Sequence, residues 1–255
     1  MIALVTDSTA YLTKQEAISL GVHVVPTGYT IGGKQFQETY GDCNGDFEPL
    51  LARTPNCTTS QAPIHAFSRV FKKLVSNGYD VLCIVMSSRL SGTYSCASIA
   101  AQSIPEDRIR VVDSLAIAGS LNLLMKYASA LVREGHPLDN IARMVEAARS
   151  RAGIIFSVSS MDTLRRSGRI GIVRQSVGTI LNIRPVLLCE DGAISACGSA
   201  RGSRELIHEL TGHIPKDAKK IILQHLSDSA LMEPLAEELR ALFPEAEFSA
   251  APVGP

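Results

Sequence analysis

The chain has 255 residues, of which 45% are hydrophobic and 20% charged, and its formal net charge is zero. This is a globular composition, long enough for one large α/β domain or two modest ones. Neutral charge argues against broad attraction to nucleic acid or anionic membrane, and the absence of Trp argues against base-stacking surfaces.

In chain order, the first half alternates short apolar runs with helical patterns. Ile2–Val5 and Val22–Val25 read as strands, and Leu12, Ala17, Ile18 and Leu20 mark a helix between them. Gly32-Gly33 reads as a hairpin turn between Tyr29–Ile31 and Phe36. Phe67, Val70, Phe71 and Leu74 recur at helical spacing, with Thr59 or Ser60 expected as the cap, Pro63 in the first turn and Gly78 as the stop. Val81–Met86 is the next strand, Tyr94–Gln102 a helix and Ile109–Val112 a strand ending in Asp113-Ser114. Leu121, Leu124, Met125, Ala128 and Leu131 mark a helix, and Leu138, Ile141, Ala142, Val145 and Ala148 another. Such alternation predicts a parallel sheet covered on both faces.

After Gly153 the character changes. Strand-like pieces at Ile154–Val158, Ile183–Leu188 and Ala193–Ala196 are closely spaced, with Asp191-Gly192 as a hairpin signal between the last two. A helix, a strand at Ile221–Leu226 and a helix through Leu235, Leu239, Leu242 and Phe243 close the chain. The expected architecture is two domains: a parallel-sheet α/β domain over 1–152 and an α+β domain over 153–255.

Two hydroxyl clusters stand out, Thr58-Thr59-Ser60-Gln61 and Ser87-Ser88-Arg89-Leu90-Ser91-Gly92-Thr93. Each precedes a helical pattern, and free N–H groups at a helix start favour an anion. Together they predict a site for one small anionic group; simple helix capping is the plainer alternative. Gly28–Lys34 fits GxxxxGK, but Gln35 replaces the hydroxyl residue of a phosphate loop. His208 and His213 are five apart, off one helix face, so no metal site is expected there. Ser91 with Asp7, Asp113 and a histidine keeps a serine-dependent acyl hydrolase open, and a phosphate-metabolite binding module is a third reading. The run Arg165-Arg166-Ser167-Gly168-Arg169 reads equally as solvated surface or as a local phosphate or partner site.

Six cysteines without a CxxC pair read as free thiols of a reducing cytoplasm. Met1–Asp7 lacks a basic n-region, and no apolar run reaches about 18 residues, so neither a signal peptide nor a membrane span is expected.

Asp7-Ser8-Thr9, Thr58–Gln61, Ser87–Thr93, Asp113-Ser114, Ser167-Gly168-Arg169-Ile170, Leu181-Asn182-Ile183-Arg184-Pro185, and Asp191-Gly192 followed by Arg201 occur in that order. This ordered set, spanning almost the whole chain, resembles the DegV family of bacterial fatty-acid-binding proteins. The resemblance implies a long-chain fatty acid buried between two domains. Its carboxylate would be presented to a separate fatty acid kinase, and the acyl phosphate would feed phospholipid synthesis. It implies a cytoplasmic binding protein, monomeric or weakly associating, with no catalytic centre and no cofactor of its own. Carried over residue by residue, Thr59 and Ser91 would hydrogen-bond the carboxylate, with Ser60, Gly92 and Thr93 beside them. Arg201 would lie next to it, and Arg169 would dock the kinase. Family members end in a His-Thr-Gly-Pro-Gly-like motif whose histidine also approaches the carboxylate. The sequence given ends at Ala251-Pro252-Val253-Gly254-Pro255, ahead of that motif, so the expectation is a head group held by Thr59, Ser91 and Arg201.

A hydroxyl is a short neutral donor, and a guanidinium adds charge and a two-point hydrogen bond. Such groups offset the cost of burying a carboxylate beside an alkyl chain. The tail contributes about 0.8 kcal/mol per buried CH₂ before ordering costs.

Overall fold

The computed structural model describes residues 1–43, 45, 47–54, 56–158, 161, 164, 167–169, 183–226 and 229–254. Its centre is a four-stranded parallel sheet of order β2-β1-β6-β7. The N-terminal elements are β1 (Ile2–Asp7), α1 (Lys14–Leu20), β2 (Val22–Val25), β3 (Thr27–Ile31), β4 (Lys34–Glu38), α2 (Phe47–Arg53) and β5 (Cys57–Ser60). Then come α3 (Ile64–Ser76), β6 (Asp80–Val85), α4 (Thr93–Ala101), β7 (Ile109–Asp113), α5 (Ala118–Arg133) and α6 (Leu138–Ala148). Leu4, Leu82, Ile84 and Val112 pack on one face with residues of α1, α5 and α6. Ala3, Val5, Val81, Cys83 and Val85 pack on the other with Phe67 and Phe71 of α3 and Ala97 of α4. A strand buried on both faces needs apolar residues at consecutive positions, which is why β1 and β6 read as unbroken runs.

Between β2 and α3 the chain makes a small antiparallel sheet of order β4-β3-β5. Tyr29 pairs with Phe36 on one side and Thr59 on the other. The Tyr29 ring stacks on Phe36 at 5.1 Å and meets the edge of Phe47 of α2 at 5.3 Å. The expected Gly32-Gly33 hairpin turn is present, whereas α2 and β5 have no counterpart among the expected elements.

The second half supplies β8 (Ile154–Ser157), β9 (Ile183–Glu190), β10 (Ala193–Arg201), α7 (Gly202–Gly212), β11 (Lys220–His225), α8 (Met232–Leu242) and β12 (Glu247–Pro252). β10-β9-β8 is an antiparallel sheet, and β11 pairs in parallel with β12. Leu187, Cys189 and Ile194 join the core that holds α5 and α6, so this apolar layer runs continuously past residue 152. On the opposite face Val186 and Ala200 meet Leu206 of α7. β12 was not expected from its sequence, Glu-Phe-Ser-Ala-Ala-Pro, which has no β-branched residue. Its strand state comes from pairing with β11, with α8 as the crossover a parallel pair requires. Among the described residues no helix is long and apolar enough to cross a membrane.

The expected Asp191-Gly192 turn joins β9 to β10 and also fastens the two halves. Ser87 Oγ donates to the Gly192 carbonyl at 2.7 Å, and Arg89 Nη1 donates to the Asp191 carbonyl at 3.0 Å. Gly192 has φ +78°, and a Cβ there would lie 2.3 Å from Ser87 Oγ and 3.2 Å from Leu115 Cα. Gly192→Ala is therefore expected to cost roughly 2 kcal/mol or more through backbone strain and overlap. Urea unfolding checks this: the midpoint falls at unchanged slope, and adding Ser87→Ala restores part of the loss.

Candidate functional site

In the order β2-β1-β6-β7 the chain leaves β1 to one side for β2 and later returns on the other as β6. The carboxyl ends of β1 and β6 thus flank a topological switch point, where open α/β sheets bind ligands. Asp7, fully buried, closes its floor. Its carboxylate accepts from Met86 N at 2.7 Å, Thr9 N at 3.0 Å and Thr9 Oγ1 at 2.6 Å. Burial pushes the Asp7 carboxyl above its usual range, opposed by these hydrogen bonds from Thr9 and Met86.

From β6 the chain turns tightly into α4. Leu90 N and Ser91 N both donate to the Ser87 carbonyl, at 3.1 and 3.2 Å. Asp113, at the end of β7, accepts from Ser88 N at 3.1 Å and Leu115 N at 3.1 Å. Ser91 Oγ lies 2.9 Å from Thr93 Oγ1 and accepts from Thr93 N at 3.3 Å. Gly92 is the cap of α4, without a side-chain cap bond.

The structure brings the two hydroxyl motifs together through Gln61 and Ala62. Ala62 N donates to Thr93 Oγ1 at 3.4 Å, and Gln61 Nε2 donates to Cys96 Sγ at 2.9 Å. Gln61 lies over Gly92 so closely that a Cβ on Gly92 would come within 2.1 Å of its Oε1. A side chain at 92 would push the Gln61 amide away from this position and with it the bond to Cys96.

The first motif departs from expectation. Thr58, Thr59 and Ser60 are exposed residues of β5, not the cap of α3. Pro63 occupies the cap position and makes no side-chain cap bond. The reason is competition: the main chain of Thr58–Ser60 pairs with β3, and Thr suits a strand. Pro63, with no N–H to give a ladder, marks the turn into α3.

The two arginines differ. Arg169 is exposed; its Nε donates to the Leu90 carbonyl at 3.3 Å and its Nη1 to the Ser167 carbonyl at 2.7 Å. Its guanidinium therefore sits beside the Ser91 loop. Arg201 is exposed at the far end of β10 from Gly192, roughly 25 Å along the strand. Its described hydrogen bond runs from its main-chain N to Glu205 Oε2 at 2.6 Å, and no described contact joins it to Thr59 or Ser91. Arg165, Arg166, Ile170, Leu181 and Asn182 lie outside the described residues.

The described hydrogen bonds of the Ser91 hydroxyl run to Thr93, and those of Asp7 and Asp113 run to Thr9, Met86, Ser88 and Leu115 rather than to Ser91 or a histidine. No cluster of potential metal ligands occurs among the described residues. All six cysteines are free thiols. Two open clefts flank edge strand β7, lined by residues such as Gln102 and Arg110 or Asp139 and Arg143, away from the hydroxyl motifs.

A buried polar group nearby had no sequence signal. Glu38, 2% exposed, ends β4 and accepts through Oε2 from Ser8 Oγ and Thr27 Oγ1, each at 2.9 Å. The Tyr11 phenol faces the same carboxyl and, with Thr27 and Ser8, partly offsets the effect of burial on it. Nothing in Lys-Gln-Phe-Gln-Glu marks its last residue as interior; only the packing of β4 against the loop after β1 does so. Burial is the main cause that pushes the Glu38 carboxyl from 4.5 up to about 7. The folded chain then holds this proton more tightly than the unfolded chain. The resulting stabilisation is complete below 4.5 and is lost as pH rises to about 7, a change of roughly 3 kcal/mol at most. Denaturant titrations between these limits are expected to show that decline in the native chain relative to Glu38→Gln.

A parallel sheet faced by helices, with a hydroxyl-rich switch point and smaller sheets beside it, places the chain in the mixed α/β class. The chain belongs to the DegV family: the family model described as "Uncharacterised protein, DegV family" matches residues 1–255. A DegV domain-containing protein of Halalkalibacterium halodurans is 32% identical over 262 residues, covering 100% of this chain and 92% of that protein. The structure reported for fatty acid binding by a DegV family protein from Thermus thermophilus aligns with a TM-score of 0.87 at 30% identity, covering 99% of this chain and 92% of the other. That of DegV from Bacillus subtilis shares the fold, with a TM-score of 0.84 at 24% identity, covering 99% and 92%.

Proposed function

We propose that the chain binds a long-chain fatty acid and presents its carboxylate to a separate fatty acid kinase, without catalysing a reaction itself. The observation that carries this reading is the convergence of Gln61-Ala62 on Ser91-Gly92-Thr93, which sets exposed Thr59 and Ser60 on the strand leading into the loop at the switch point. The likeness to the fatty-acid-binding protein of Thermus thermophilus along almost the full chain supports it. Six free thiols suit a cytoplasmic setting.

In this reading residues 1–152 supply the head-group loops and 153–255 cover the tail. Ser91 Oγ, Thr93 Oγ1 and main-chain N–H groups at the start of α4 donate to the carboxylate, with Thr59 and Ser60 closing from β5. The alkyl chain runs into the apolar layer where Met86 and Leu90 meet Leu187 and Ile194. Arg169, exposed beside Leu90, marks the rim at which the kinase approaches. Arg201 acts on the carboxylate only if ligand or kinase brings the far end of β10 toward it.

Solvent extraction of the purified protein with mass spectrometry tests the ligand: a stoichiometric long-chain acid is expected, and an empty protein that hydrolyses acyl esters would overturn the reading. Ser91→Ala is expected to weaken fatty-acid affinity about 10- to 100-fold, the loss of a hydrogen bond to a charged acceptor, as read by calorimetric titration with unfolding unchanged. Arg169→Ala is expected to leave that affinity intact and to lower the initial rate of phosphorylation of the bound acid by the kinase.

A further inference from the structure

Glu38 lies at the junction of three segments. Ser8 belongs to the loop leaving β1, and Thr27 to β3. The Tyr11 phenol is also bonded by the main chain of Gly254, just beyond β12. Around the carboxyl, Ser8 Oγ, Thr27 Oγ1 and Glu38 Oε2 form a closed triangle of oxygens with edges of 2.8, 2.9 and 2.9 Å. Ser8 Oγ also accepts from Thr27 N at 3.0 Å. With Glu38 ionised, two hydroxyl protons serve three oxygen–oxygen edges. A proton on Glu38 supplies the third donor and closes a ring in which each oxygen donates once and accepts once.

The same ring fixes the sheet that bears the first hydroxyl motif. Glu38 pairs with Thr27 across β4 and β3; the next residues of β3, Gly28 and Tyr29, pair with Ser60 and Thr59 of β5. Two strand spacings put Glu38 about 10 Å from β5. Ser60 is held close: a Cβ on Gly28 would lie 2.6 Å from Ser60 Oγ.

We propose that Glu38 is a positioning residue for the head-group site, holding the Thr59-bearing sheet against the switch point and making ligand binding proton-coupled. This rests on the fatty-acid reading above. An anionic head group at Thr59 and Ser91 opposes an ionised Glu38 and favours its protonated form, so proton and ligand assist each other. The titratable groups facing Glu38 are Asp7 and Tyr11 from β1 and the loop after it, Tyr29 of β3 and Cys57 of β5. Burial pushes Tyr11 and Cys57 up, so both stay neutral near pH 7. Asp7, within its three hydrogen bonds, adds negative charge that raises Glu38 further.

The test is calorimetric titration of the delipidated chain with hexadecanoate, run near neutrality in phosphate and in Tris, whose different ionisation enthalpies count protons taken up. Net proton uptake is expected for the native chain and none for Glu38→Gln. Affinity of the native chain is expected to fall about tenfold from about pH 6 to about pH 8.5, the coupling of two unit charges about 10 Å apart at intermediate dielectric. Glu38→Gln should be flat across that range, and Glu38→Asp should retain the dependence, which a purely structural role would not produce. Zero proton uptake by the native chain overturns the proposal even if Glu38→Gln fails to fold, as does a pH profile unchanged in a folded Glu38→Gln. Failure of hexadecanoate to bind at any pH overturns the fatty-acid reading and this inference with it.

Discussion

The buried Asp7 carboxylate is the interaction on which the site's geometry depends. Removed from water, it is costly unless every direction it faces offers a donor. Met86 N, Thr9 N and Thr9 Oγ1 provide them. The bond to Met86 crosses from the end of β1 to the end of β6, beyond Val5 and Cys83, the last residues that pair the two strands. Asp7 thereby replaces the missing ladder and sets where the Ser87–Thr93 loop begins.

That loop is then gripped from three further sides. Asp113 takes the Ser88 N–H, Ser87 Oγ reaches the Gly192 carbonyl, and Thr93 Oγ1 receives the Ala62 N–H. Each partner belongs to a different part of the fold: β7, the β9–β10 turn and the approach to α3. A loop restrained this way holds hydroxyls in place before a ligand arrives, which lowers the ordering cost of binding. The contacts at Asp191 and Gly192 also make the Ser87–Thr93 loop part of the joint between the halves, so the antiparallel sheet and the switch point are tied together.

The small β3–β5 sheet is held differently. Its aromatic cluster of Tyr29, Phe36 and Phe47 gives it a core of its own, with Leu226 packed against it from the end of β11. Its attachment to the switch point runs through the buried ring of Ser8, Thr27 and Glu38. Polar groups buried in this way specify a single placement more strictly than apolar contact does, since a shifted sheet would leave them unpaired.

Much of the framework is legible in the chain itself. The runs at Ile2–Val5 and Val81–Met86, the spacing of Phe67, Val70, Phe71 and Leu74, and the turns at Gly32-Gly33 and Asp191-Gly192 all took the form their local chemistry dictates. Hydrophobic period and turn preference act over a few residues, so sequence alone determines them. The ordered motifs likewise carried the family. Other features waited for partners distant in sequence. Thr58–Ser60 became a strand because β3 lay alongside, and Glu247–Pro252 because β11 did. Arg169 came to the Ser91 loop while Arg201 went to the far end of a strand, since where a side chain arrives depends on how the strand before it runs. Glu38 reads as a solvated strand end until Ser8 and Thr27 close over it. Local pattern fixes which segments become helix or strand, but register, strand order and the burial of a single carboxyl are set by contacts between segments that only the folded chain brings together.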